Sequence, residues 1–150
     1  REEKFMSTKE IQQALVEKME QWKKIEDASV ASTEEIMKKT DNPLIHKIME
    51  IIQADSMQHH KVQNLILKSL TEQSISLTPE EIGVVQEGID KHAAIEKKMV
   101  GFVEETLSAL KGRKMVIQEY LLEYLAEDEK KHDNLLSRLE DIKKGMYPYG

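Results

Sequence analysis

Two stretches of the chain place an acid and an imidazole in the same relation. Asp55 and His59 are four residues apart, and so are Asp128 and His132. His92 and Glu96 repeat the pairing in reverse order. On an α-helix, positions i and i+4 lie one turn apart on the same face. Each pair therefore aims a nitrogen and an oxygen at one point. Imidazole with carboxylate suits iron, manganese or zinc, and carboxylate-rich sets that include histidine lean to iron or manganese. Three such pairs on three helices point to a metal site inside a helix bundle.

The elements that must carry these pairs are marked by their ends. Ser7-Thr8-Lys9-Glu10 reads as a capping box, and the first helix then runs to about Lys39. Asn42 followed by Pro43 is an N-cap with proline at the first helical position, which starts a second helix that fades around Glu72 to Ser74. Thr78-Pro79-Glu80-Glu81 combines a cap, a first-position proline and a box glutamate, so a third helix begins there and ends at Gly112. The fourth follows at once and stops near Gly145. Each has about 30 residues, or about 45 Å of helix.

Apolar residues at three- and four-residue steps show the faces that turn inward. The first helix carries Leu15, Met19, Trp22, Ser29, Thr33 and Ile36 on its stripe, with Glu26 between Trp22 and Ser29. The second carries Ile48, Ile52, Val62 and Ile66, with Asp55 and His59 in the gaps. The third carries Val85, Ile89, Met99 and Val103, with His92 and Glu96 between. The fourth carries Leu121, Leu125, Leu135 and Leu139, interrupted by Asp128 or Glu129 and then His132. Every stripe is broken by ionisable groups near its middle. An isolated buried charge costs several kcal/mol or more, so four helices placing that cost at one height need a common cause. Metal is one. The other is a buried polar layer of His and Glu that hydrogen-bond each other and fix helix register, in a structural or interaction module without catalysis.

Leu15, Trp22, Ile52, Ile66, Val85, Val103, Leu121 and Leu139 are the expected core, with helices packed antiparallel, about 20° apart. His46 and His60 fall beside the stripes and read as surface residues.

Bulk composition narrows the class. A chain of 150 residues, 39% hydrophobic, can bury a core without covalent staples. There is no cysteine, which excludes disulfides, thiolate metal sites and a cysteine nucleophile. A net charge of -6 argues against nucleic acid as partner. No apolar run nears the roughly 20 residues that span a bilayer, and no signal-peptide pattern opens the sequence, so a soluble cytoplasmic protein without a membrane partner is expected. The tail tyrosines Tyr147 and Tyr149 are candidates for a homodimer contact.

Glu129-Lys130-Lys131-His132, followed by Leu135-Leu136 and Leu139, resembles the Glu-x-x-His helix of the ferritin-like superfamily. His92-x-x-x-Glu96 resembles the preceding helix of its rubrerythrin-like members. The resemblance runs from about Ile11 to Ile142. It implies an all-α, ferritin-like four-helix bundle in a single domain over residues 1–150, made of a duplicated helix pair around a di-iron or di-manganese centre. It further implies ligands from one Glu on each of the first and third helices and a Glu-x-x-His on each of the others. Carried onto this chain, the implied metal ligands are Glu26, His59, Glu96, Glu129 and His132. The implied function is metal binding with redox chemistry on ferrous iron, oxygen or peroxide, fed by a separate electron donor.

Two departures modify that picture. Ser56 stands where the first half would need Glu. Asp55 can offer a carboxylate from one position earlier, and His92 an extra nitrogen, so the ligand candidates are Glu26, Asp55, His59, His92, Glu96, Glu129 and His132. The iron site is then di-iron, mononuclear or degenerate, or manganese takes its place. Second, Gln73 to Leu77 reaches under about 20 Å at 3.6 Å per residue, too short for a crossover along a 45 Å bundle. An up-down-up-down path follows, which also suits a hemerythrin-like reading of His92 and Glu96, although those sites use more histidine.

Overall fold

The computed structural model describes residues 6–146. Four long helices and one short one make up nearly all of them: α1 (Thr8–Lys38), α2 (Pro43–Thr71), α3 (Pro79–Leu110), α4 (Val116–Ser137) and α5 (Leu139–Met146). No strand occurs among the described residues. Tyr147 and Tyr149, the candidate dimer contacts, lie outside them.

The helix starts follow from local chemistry. Ser7 accepts from the Glu10 amide, satisfying one of the donors that a helix N-terminus leaves unpaired. The Asn42 side chain accepts from the amides of both Leu44 and Ile45, and Pro43 supplies a first position that needs no donor. At α3 the capping box is complete: Thr78 accepts from the Glu81 amide, and the Glu81 carboxylate accepts from the Thr78 amide. The α3–α4 turn needs Gly112, whose φ of +77° lies in the left-handed region.

The fourth helix does not run unbroken to Gly145. It ends at Ser137, Arg138 forms a turn, and α5 continues from Leu139. The Arg138 amide donates to the carbonyls of Asn134 and Leu136, and the Arg138 carbonyl accepts from Asp141 and Ile142. No glycine or proline marks this break, so it left no trace in the sequence.

The chain divides after Ile75 into two compact units. The first is the hairpin of α1 and α2. Its cross-contacts run in opposite directions: Lys23 meets Asn64, Glu26 meets Gln63, Ser29 meets Ser56, and Gln53 meets Glu34. The second is the hairpin of α3 with α4, extended by α5.

A pair of helices buries one strip of each, and the strip is narrower than the apolar stripe. In α1 the buried residues are Met19, Glu26 and Thr33, seven apart. In α2 they are Ser56, Gln63 and Leu67. The expected core shifts accordingly. Leu15, Trp22, Ile52 and Val85 are exposed, Trp22 by 47%, and Ile66, Val103, Leu121 and Leu139 are half-buried. The reason is geometric: these side chains sit beside the strip that faces the hairpin partner, where a second helix cannot reach them.

Candidate metal centre

In the second hairpin, α3 brings one carboxylate to the strip that faces α4. Glu96 is 2% exposed. Glu129 and His132 stand one turn apart on α4 and meet it. Oxygens of Glu96 and Glu129 and a nitrogen of His132 all lie within 4.8 Å of one another. Two imidazoles address the same oxygen: His92 Nε2 is 2.9 Å from Glu96 Oε1, and His132 Nδ1 is 3.5 Å from it. The other ring nitrogen of His132 is 3.5 Å from Asp128 Oδ2, and Asp128 in turn pairs with Lys131 at 2.8 Å. An imidazole held at one nitrogen by a carboxylate has its ring orientation fixed for work at the other.

The remaining oxygens carry the chemical information. Glu96 Oε2 and Glu129 Oε2 are buried and without a hydrogen-bond partner. Two adjacent carboxylates resist being ionised together. Hydrogen bonding with Glu96, followed by burial, raises the Glu129 carboxyl above its ordinary 4.5. Glu96 is held below that value, first by Glu129 as donor and then by His92. One proton shared between the two relieves the conflict, and so does a cation. Two carboxylates and an imidazole form a ligand set suited to iron or manganese, so these residues fit the implied metal.

The first hairpin repeats part of this plan. Glu26 on α1 is 7% exposed, and His59 Nδ1 lies 3.2 Å from its Oε2. That is the same ring nitrogen on the same type of partner as in the His132–Glu96 contact. Gln63 Nε2 donates to the same Glu26 oxygen at 3.2 Å. Three residues before His59, where Glu129 stands in the second hairpin, is the buried Ser56, whose hydroxyl bonds Ser29 at 2.8 Å. Asp55 is exposed and joins neither Glu26 nor His59. His60 is half-buried and meets Asp27 at 2.8 Å, and His46 closes the α1–α2 turn on the Thr40 carbonyl.

Of the seven ligand candidates, then, Glu96, Glu129, His132 and His92 come together in one hairpin, Glu26 and His59 pair in the other, and Asp55 stands apart. Asp128, paired with His132 by its four-residue spacing, stays beside His132 although it was not among the ligand candidates, and Gln63 acts on Glu26 without having been singled out. The signal for Gln63 was its place four residues beyond His59, on the same face. No protein-family model, curated protein or solved structure matches the chain.

Proposed function

We propose that this is a ferritin-like, metal-binding protein whose second hairpin holds iron or manganese through Glu96, Glu129 and His132, with His92 beside them. The observation that carries the reading is the facing pair of carboxylates, Glu96 and Glu129, each with a buried oxygen without a hydrogen-bond partner and with His132 Nδ1 3.8 Å from that of Glu129. Burying two such groups against each other is costly unless something positive lies between them. The proposal includes the four-helix-bundle class that the resemblance implies. Each hairpin leaves apolar residues exposed, among them Trp22 and Ile25 in one and Ile95 and Phe102 in the other.

When bound, iron or manganese would supply redox chemistry toward ferrous iron, oxygen or peroxide. The residues of the chain bind and orient: Glu96 and Glu129 neutralise the cation, His132 adds a nitrogen whose direction Asp128 fixes, and His92 guards the more open side, its side chain 55% exposed. These 150 residues hold no cysteine, so the proposal includes an electron donor outside them. No described helix is long and apolar enough to cross a membrane, which accords with the cytoplasmic placement that belongs to this reading.

The test is metal content. Protein expressed with iron or manganese supplied should carry metal, and His132→Ala should lower its affinity by at least about tenfold, the scale of change seen even for groups one step removed from a metal. Equal metal in both proteins would count against the site.

A second reading, that the polar groups form a structural layer, is favoured for the first hairpin by one observation: there the single carboxylate already accepts from Gln63 and has the His59 ring 3.2 Å away.

A further inference from the structure

The two hairpins place the same Glu–His pair on the same ring nitrogen, yet they differ in what the pair needs. We infer that the first hairpin is a metal-independent counterpart of the second, in which Ser56 and Gln63 do the work that a cation does at Glu96 and Glu129. The inference rests on the proposed metal site and deepens it, since it fixes which half of the chain binds.

Charge balance carries the argument. In the second hairpin two carboxylates face each other, and an oxygen of each lacks a donor. In the first, the position of Glu129 is taken by Ser56, which is neutral and satisfied by Ser29 at 2.8 Å. Glu26 is the one carboxylate at that place, and its Oε2 accepts from Gln63 Nε2 and has His59 Nδ1 beside it, each at 3.2 Å. A cation there would find one carboxylate and one imidazole, and would have to displace the Gln63 amide to use them. Two protein ligands are fewer than the three or four that metal sites of this type present. Asp55 does not fill the gap, because it is exposed and the ion pair and hydrogen bond at Glu26 come from His59 and Gln63 instead. The residue four beyond the histidine follows the same logic. It is Gln63 in the first hairpin and Leu136 in the second. An amide is useful where the carboxylate must be satisfied by the protein, and unnecessary where a metal satisfies it.

Gln63 is therefore a positioning residue. It is 3% exposed and fixes the Glu26 carboxylate without any ligand. Its own Oε1 is buried and unpartnered, a cost that the Glu26 contact offsets.

The experiment compares four proteins, each with all 150 residues, unsubstituted, His59→Ala, His132→Ala and Gln63→Leu, by metal per chain after loading with ferrous iron or manganese, and by melting temperature with and without chelator. His59→Ala and Gln63→Leu should melt lower than the parent yet keep its metal content and its full chelator-induced shift. His132→Ala should lose both. A further variant, Ser56→Glu with Gln63→Leu, should raise metal per chain by about one equivalent, because it gives the first hairpin the second carboxylate and removes the competing amide. If the chelator shift disappears in His59→Ala while the parent shows it, this inference is overturned and the metal site of the second hairpin stands. If the parent itself takes up no metal, the metal reading fails and the inference fails with it. If Ser56→Glu with Gln63→Leu folds and gains no metal, the claim that these two residues close the site is wrong.

Discussion

Glu96 on α3 and Glu129 on α4 face each other across the second hairpin, each with a buried Oε2 without a hydrogen-bond partner, and His132 Nδ1 stands 3.8 Å from that of Glu129. His132 completes a cluster whose ligand atoms lie within 4.8 Å of one another. Much of what can be measured on this protein follows from that one juxtaposition.

Replacing Glu129 by Gln should stabilise the metal-free protein and abolish its response to metal. The amide can donate to Glu96, and the like-charge contact is gone. A melting temperature higher by about 2–4 °C near neutral pH is expected for a change of this kind in a chain of 150 residues. Differential scanning calorimetry of both proteins after chelation checks it, and a lower melting temperature for the variant would contradict it.

The same pair sets the pH dependence of the metal-free protein. Glu129 is raised above its ordinary 4.5, so the fold binds its proton more tightly than the unfolded chain does. That contribution is complete below the ordinary value and is lost as pH rises through the raised one. Glu96 is lowered, so its contribution is present above the ordinary value and fails only as pH falls through the lowered one. Between the ordinary value and the raised Glu129 value, stability should decline with rising pH, and Glu129→Gln should remove that decline. Urea midpoints across pH 4 to about 7 are the measurement.

The Ser29–Ser56 hydrogen bond offers a double-substitution test in the first hairpin. At 2.8 Å with Ser56 buried, removing one hydroxyl strands the other. Either single Ala variant should cost about 1–3 kcal/mol, whereas the double variant should cost less than the sum. Additive costs would mean that the two hydroxyls do not depend on each other.

Helix α3 carries the most complete local start signal in the chain. Thr78→Ala should remove the acceptor for the Glu81 amide and cost about 1 kcal/mol. Glu81→Gln should keep most of the box, because a glutamine carbonyl can still accept from the Thr78 amide. Chemical denaturation of the two variants distinguishes cap chemistry from general helix loss.

The helix starts were legible because each is written in a few adjacent residues: Ser7, Asn42 with Pro43, and Thr78 through Glu81. The candidate site was legible in its residue types and its four-residue spacings, which brought Glu96, Glu129, His132 and His92 to one place. The buried strip was not, for a physical reason. Apolar periodicity marks the full width of a helix's hydrophobic face, whereas the strip between two paired helices is lined by whatever allows close approach. Here those residues include Ser56 and Gln63, which look polar in sequence and meet Ser29 and Glu26 only once the partner helix is present, and Thr33, which donates to the Val30 carbonyl of its own helix. Trp22 looked like a core anchor and is 47% exposed, because it sits one position off that strip. The break at Arg138 was invisible because it depends on where backbone carbonyls fall and not on a helix-breaking residue.

The most direct test is thermal unfolding of the protein with and without a chelator after loading with ferrous iron or manganese. Metal that binds the folded Glu96–Glu129–His132 cluster and not the unfolded chain must stabilise the fold by mass action, by about 2.7 kcal/mol at a free concentration one hundred times the dissociation constant. For a chain of this length that corresponds to a rise of about 5–10 °C. That rise is expected, with its reversal by chelator and its absence in His132→Ala. A melting curve indifferent to metal and chelator, with no metal retained under any supply, would contradict it.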